Sequence, residues 1–476
     1  MINKDALPLY QDFNTINAVD AEYYSKYDVK RGLRNADGTG VVAGVTNISN
    51  VHGYMVCDGD KIPDEGRRTY RGYDLNALVD NVVAENRFGF EEIVYLLLAG
   101  ELPTEDQMKT FREIMDEARD LPDGFTANYI MKPPTRDIMN CLGRSTLQLY
   151  AFDDDAEDRS AQHEIDTAIS LISRLPRVMV LAYHVMRDKF YGDSMFIHHY
   201  IPGQSTAETI LSMLRADRSF TPEEAKMLDI MLMLHAEHGG GNNSTFTCRT
   251  LTSSDTDPYS AYAGAIGSLK GSRHGGANIK VLGMTNDIKE HVADITDEGR
   301  VVDYLRKIAS KEAYDGTGLI YGMGHAVYTL SDPRAVLCKK YAKQLAEGTE
   351  YEANFRLLEI IEQYTPQILA EKGKSKNICA NVDLYSGCVY NMLGIPNEML
   401  TPLFACARMA GWSAHRFEEI VSGKRIIRPA YKKTGSVRDY VPLADRNKDA
   451  GQSLGENAHE AILRNAAPAF GQEYGD

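Results

Sequence analysis

Several absences narrow this sequence before any motif is read. No apolar run reaches the ~18 residues that a membrane-spanning helix needs, so no membrane partner is expected. An excess of basic charge is missing as well. The formal net charge is -15, which argues against a nucleic-acid partner because phosphate binding needs a basic field over the surface. An anionic ligand must therefore be met by locally placed positive charge. The cysteines Cys57, Cys141, Cys248, Cys338, Cys379, Cys388 and Cys406 are scattered and odd in number, with no CxxC pair. They fit neither a disulfide framework nor a zinc knuckle, and a reducing compartment, by default the cytoplasm, is expected. The opening stretch MINKDALPLYQDFN lacks the basic and apolar regions of a secretory leader. No solenoid repeat is present, and no glycine-rich dinucleotide fingerprint follows a strand.

What is present is globular. Hydrophobic residues make up 43% and charged residues 25% of 476, a length beyond the needs of one core, so two structural units are expected. Helical signals dominate from about residue 75. Thr104 with Gln107, and Thr221 with Glu224, have the spacing of capping boxes, and Pro222 suits a first helical position. The second of these helices is apolar nearly all round, from Met227 to Leu234, and should be buried. Earlier, GYMVCDGDKIPDEGRRTYRGYD carries a Gly/Asp turn between short β-prone segments and predicts a small hairpin, an ornament on a helical protein. After Tyr440 the chain turns polar and small, as an arm or loosely held extension does.

Four segments carry chemistry. In LHAEHGGGNNSTFTCR, His235 and His238 share a helix face, which suits either a metal or the carbonyls of a helix end. The HExxH pattern of zinc proteases is absent, and no third ligand is near in sequence. In GSLKGSRHGGANIKV, His274 follows a turn and precedes two glycines that permit close backbone approach. It is either a ligand-facing imidazole or a surface loop histidine. In GMGHAVYTLSDPR, His325 lies in a glycine-flanked loop. Asp332 and Pro333 there start a helix whose first turn holds Arg334, against the helix dipole. A cation placed against its local preference points to an anion nearby, and a carboxylate suits it. In NICANVDLYSGCVYNMLGI, Asp383 is either a helix cap or a functional acid. Beyond it, Arg408 stands in an apolar helix and needs either an internal acid or a ligand's carboxylate, and GKRIIRPAY adds Arg425 and Arg428.

Taken in order, LHAEH, GSRHGGAN, GMGHAVYTLSDPR, NVDLYSG, ARMAGW and RIIRP resemble the motifs of the citrate synthase family, of the Si type, from RGLRNADGTG to RPAYKKTG. The resemblance implies an all-α, two-domain helical fold with a small β-hairpin near the N-terminus. The large domain would comprise residues 1–278 and 389–476, and the small domain residues 279–388. It implies a homodimer and an acyltransferase that condenses acetyl-CoA with oxaloacetate and hydrolyses citryl-CoA, without metal or cofactor. By motif position, His274, His325 and Asp383 form the catalytic set. His238, His325, Arg334, Arg408 and Arg428 form the oxaloacetate site, Arg428 reaching across the dimer.

Arg34, Arg273, Met323 and Gly324 are the candidate CoA contacts. With His274 on one side of the domain boundary and His325 and Asp383 on the other, domain closure would complete the site. The chain departs from the family pattern at Ser272 and Arg273 ahead of the histidine. It departs again at Thr329, where a basic phosphate contact is common, and at Leu384, where an aromatic is common among bacterial relatives and the smaller side chain enlarges a pocket. A 2-methylcitrate synthase, which uses propionyl-CoA, would share every catalytic residue. A zinc hydrolase using His235 and His238, and a non-catalytic protein on the same fold, are the readings from other classes.

Overall fold

The computed structural model describes residues 12–57, 60–373 and 377–446, so the polar arm expected beyond Tyr440 lies from residue 447 onward outside the described residues. The described chain divides into two units, residues 43–427 and the chain-end segments 12–42 and 428–446. In the chain-end unit two short helices, Phe13–Asn17 and Glu22–Lys26, precede a turn in which Arg34 bridges Gly40. The Arg34 guanidinium donates to the Gly38 carbonyl at 3.3 Å.

The main unit is helical after a short antiparallel sheet, as the resemblance implies. Helices α1 (Leu75–Ala84), α2 (Phe90–Ala99), α3 (Glu105–Glu117), α4 (Ile138–Leu149) and α5 (Ala161–Tyr191) lead to α6 (Thr206–Leu214) and α7 (Pro222–His235). Then come α8 (Asn243–Thr252), α9 (Pro258–Lys270), α10 (Ala277–His291) and α11 (Glu298–Ala309). The last group is α12 (Pro333–Ala346), α13 (Glu352–Glu371), α14 (Val382–Met392) and α15 (Leu400–Ser422). The capping boxes at Thr104 and Thr221 form as their spacing predicts, each satisfying amides that the first turn leaves bare. Helix α7 is buried along nearly its whole length, packed against α6, α12 and α15. Helix α14 lies on α10 and α12. Among the described residues no helix is long and apolar enough to cross a membrane.

Strands β1 (Ser49–Cys57), β2 (Asp60–Tyr70) and β3 (Tyr73–Asp74) form an antiparallel sheet in that order. The hairpin is where the sequence places it, but it is no ornament. A third strand extends it, and it clasps the segment that joins His325 to Arg334. The Asp64 amide donates to Thr329 Oγ1 at 3.2 Å, Thr329 Oγ1 donates to the Gly53 carbonyl, and the Gly66 amide donates to Ser331 Oγ at 3.0 Å. Approach is so close that a Cβ on Gly53 would stand 2.6 Å from Tyr328 Cα and 2.7 Å from the Val327 carbonyl oxygen. Those neighbours are main chain and cannot rotate away. Gly53→Ala is therefore expected to destabilise the protein by about 1–3 kcal/mol in urea unfolding and to lower kcat/KM, because the displaced segment carries the site.

Candidate active site

The end of α7 supplies the first part of the site. Beyond His235 the chain turns at Gly239, whose φ of +85° suits glycine, and this leaves His238 half-buried and Glu237 fully buried. Glu237 Oε1 accepts from Ser49 Oγ at 2.8 Å, from His415 Nε2 at 2.9 Å and from the Gly239 amide. The Arg249 guanidinium donates to His415 Nδ1 at 2.8 Å, so the imidazole proton sits on Nε2 and points at Glu237. Burial drives the Glu237 carboxyl up, but His415 and Arg408 outweigh it and hold the group down at about 2. This buried anion fixes the turn that carries His238.

His325 and Asp383 come from two segments stitched together. Met323 bridges Ala380, the Gly324 amide donates to the Cys379 carbonyl at 2.8 Å, and Asn381 Nδ2 donates to the Gly324 carbonyl at 2.8 Å. Asn381 also caps α14, its Oδ1 accepting the Asp383 amide at 3.0 Å. The Val327 and Tyr328 amides both donate to His325 Nδ1, each at 3.1 Å. A nitrogen that accepts two amides carries no proton, so neutral His325 presents Nε2–H, 3.2 Å from His238 Nε2. His238 is held well below the ordinary imidazole range by desolvation and then by the charges of Arg334 and Arg68, so it is neutral. Burial pushes the Asp383 carboxyl up to about 6, with Arg334 opposing the rise.

His274 is oriented by the start of α8. Its Nε2 accepts the Ser244 amide at 3.3 Å and lies 3.1 Å from Ser244 Oγ, which Trp412 Nε1 in turn holds at 3.2 Å. The proton of the neutral ring is therefore on Nδ1. Desolvation, with the Arg408 charge, lowers the group to about 4, which keeps it a neutral donor at physiological pH. The departures at Ser272 and Arg273 are exposed and leave this anchoring intact.

Buried guanidiniums complete the group. Arg334 is paired with its own helix cap: Nε donates to Asp332 Oδ1 at 3.0 Å and Nη2 to Oδ2 at 2.7 Å. Arg408 Nε donates to the His235 carbonyl at 2.7 Å, while Nη1 and Nη2 have no hydrogen-bond partner among the described residues. Arg408 is lowered to about 9, chiefly by desolvation. Arg68, on β2, is equally buried and has no hydrogen-bond partner for Nε, Nη1 or Nη2 among the described residues.

The structure thus gathers His238, His325, Arg334 and Arg408, with Asp383 and His274 within reach of the same guanidinium charges. Met323 and Gly324 belong to the stitched segment, and Arg273 is exposed beside His274. Arg34 and Arg428 belong to the chain-end unit, where Arg428 is exposed. The His235 ring lies tilted against Phe404, with 4.3 Å between centroids, and its carbonyl serves Arg408. Among the described residues no three His, Cys, Asp or Glu side chains converge as a metal site requires. The Thr329 hydroxyl ties the loop to the hairpin. Leu384 is fully buried against Gly322 and lines a cavity of about 30 Å³ with Val281, Leu282 and Cys388. Sequence reasoning missed Arg68, Glu237, Ser244 and Asn381. Only Arg68 left a signal, two residues before the inward Tyr70 on a β-strand.

Residues 35–430 match the family described as citrate synthase, C-terminal domain. The chain is 34% identical to a citrate synthase of Acidithiobacillus ferridurans, over 86% of this chain and 97% of the relative. It is 32% identical to 2-methylcitrate synthase 1 of Corynebacterium glutamicum, over 89% of this chain and all of the relative. Among solved structures, the ternary complex of citrate synthase from Thermoplasma acidophilum with carboxymethyl coenzyme A and oxaloacetate superposes with a TM-score of 0.70 at 27% identity. That likeness covers 88% of this chain and 99% of the other.

Proposed function

This chain belongs to the citrate synthase family, and on that footing we propose that it condenses acetyl-CoA with oxaloacetate and hydrolyses the citryl thioester to citrate and CoA. The observation that carries the reading is the arrangement of the three acid–base groups: His274 Nε2 takes the Ser244 amide and leaves Nδ1 facing away, His325 Nδ1 takes two amides and turns Nε2 towards His238 and Arg334, and burial raises the Asp383 carboxyl to about 6. A thioester methyl is a very weak carbon acid, so proton removal needs a base and a hydrogen bond to the oxygen that gains charge. Asp383 takes the methyl proton while His274 Nδ1–H hydrogen-bonds the thioester oxygen. The resulting enol carbon attacks the ketone carbon of oxaloacetate. His325 Nε2–H polarises that ketone and hydrogen-bonds the alkoxide, which takes up one proton to become a hydroxyl, balancing the methyl proton that Asp383 removed. Water then cleaves the thioester, releasing the CoA thiol and the third carboxylate of citrate.

Two carboxylates on oxaloacetate account for the guanidiniums, because a planar fork matches a carboxylate better than an ammonium does. In the same reading residues 279–388 act as a small domain that closes on the large one. The chain works as a homodimer in which Arg428 completes the partner's site, and the CoA moiety is met by Arg34, Arg273, Met323 and Gly324. No metal or cofactor takes part in this scheme.

The test is thiol release with a disulfide reagent, in the presence of EDTA, from oxaloacetate with either acetyl-CoA or propionyl-CoA. Release that requires oxaloacetate and favours acetyl-CoA at least tenfold in kcat/KM is expected. The likeness to a 2-methylcitrate synthase over that relative's full length supports a second reading, and a propionyl-CoA preference would establish it. One methylene decides only about 1–3 kcal/mol, so the preference must be measured. Loss of activity in EDTA would overturn the metal-free scheme.

A further inference from the structure

The sheet delivers a guanidinium that none of the six motifs contains. Gly66, Arg68 and Tyr70 alternate on one face of β2, and both neighbours of Arg68 on that face are pinned. The Gly66 amide is bonded to Ser331 Oγ, in the segment between His325 and Arg334. The Tyr70 hydroxyl donates to the Met233 carbonyl at 3.1 Å, at the end of α7 that leads to His238. Opposite Arg68 in the ladder is Val51, against which Gly239 packs. The Arg68 side chain, 1% exposed, is therefore held between the two segments that carry His325, Arg334 and His238.

Neither nearby anion is hydrogen-bonded to Arg68, although both feel its charge. Asp332 is engaged by both faces of the Arg334 fork. Glu237 Oε1 is shared by Ser49, His415 and the Gly239 amide, and Oε2 has no hydrogen-bond partner, guanidinium or otherwise, among the described residues. Among the described residues Arg68 and Arg408 thus present five guanidinium nitrogens without hydrogen-bond partners, three on Arg68 and two on Arg408. A buried charge left unpaired is unfavourable until something supplies the opposite charge.

Resting on the function proposed above, we propose that Arg68 is a further substrate-binding residue, which with Arg408 holds one carboxylate of the dicarboxylic 2-oxo acid. The hairpin then contributes directly to substrate choice. The ligand-free protein carries the unpaired charge and is relieved of it when the dianion binds.

Arg68→Met and Arg68→Lys are compared with the unaltered protein by oxaloacetate titration calorimetry, by thermal unfolding with and without oxaloacetate, and by steady-state kinetics. Arg68→Met is expected to raise Kd and KM for oxaloacetate about 30-fold or more, with KM for acetyl-CoA within about twofold. Its ligand-free Tm should be unchanged or higher, and the Tm rise given by a fixed oxaloacetate concentration should shrink. Arg68→Lys should recover part of the affinity, as a point charge in place of a fork does. A lower ligand-free Tm with unchanged oxaloacetate affinity would assign Arg68 a purely structural role and overturn the proposal. An unaltered protein that binds no oxaloacetate would overturn the underlying function and this proposal together, and that failure is read on the unaltered protein alone.

Discussion

Asp383→Asn is expected to lower kcat by about 10²–10⁴-fold while leaving oxaloacetate binding nearly intact, because the amide keeps the shape of the acid and loses only its capacity to take a proton. The Asn381 cap on the Asp383 amide involves main chain at that position and survives the change. The pH profile gives a second reading. Asp383 titrates at about 6, and only its ionised form can act as base, so kcat/KM of the unaltered protein should fall tenfold per unit below that pH. The variant should lose this acid limb along with most of its rate.

Stability should move the other way. The folded-state carboxyl lies above the ordinary value of 3.8, so the native state holds the proton more tightly than the unfolded chain does, and ionisation destabilises the fold as pH rises from about 4 to about 6. Asparagine removes that penalty. The variant should therefore be at least as stable as the unaltered protein at pH 7.5, with any advantage disappearing near pH 3.5. Rate and Tm measured on the same samples check both statements, and a variant with both low activity and low Tm at neutral pH would contradict them.

Arg334→Met should have the largest effect on folding. Its guanidinium is the bidentate partner of Asp332, whose side chain is 0% exposed, and methionine would leave that carboxylate buried with only the Arg334 amide as donor. Breaking a buried pair from one side costs about 3–5 kcal/mol, far more than an exposed pair would. The loss should depend on pH in a defined direction. Burial raises Asp332, but Arg334 outweighs it and keeps the group below its ordinary value. The pair therefore contributes fully above the unfolded pKa near 4, and its contribution is lost as pH falls through the depressed folded value. Urea unfolding should show the full deficit at pH 7 and a smaller one below pH 4. Adding Asp332→Asn to Arg334→Met should restore part of the stability without restoring oxaloacetate binding. The contrast with Arg68, whose loss is expected to spare the ligand-free fold, separates a guanidinium held by the protein from one awaiting a substrate.

Local chemistry made much of the fold legible. The caps at Thr104, Thr221 and Asp332 are written within three residues of the amides they satisfy, so sequence shows them directly. The Gly/Asp turn predicts the hairpin, and the apolar run of α7, interrupted only by Asp229 between Met227 and Leu234, predicts its burial. The residues proposed for acid–base chemistry are legible in motif order, but what fixes their ring nitrogens is not. Ser244 is 30 residues from His274, and Glu237 is 178 from His415. The hairpin meets its loop across a separation of 265 residues, which is why a sheet that shapes the site read as peripheral. At Thr329, where the resemblance expects a basic residue, the sequence does not show that the hydroxyl makes three contacts with the hairpin.

The two histidines that present protons differ in how far inheritance can disturb them. His274 owes its orientation partly to a side chain, the Ser244 hydroxyl, so a single codon change there can loosen the ring. His325 is set by the amides of Val327 and Tyr328, which every residue except proline would supply equally. Its tautomer is therefore a property of the chain's path. Neutral drift at positions 327 and 328 can alter bulk and polarity, yet short of proline or a shift of the loop it cannot move the proton to the other nitrogen.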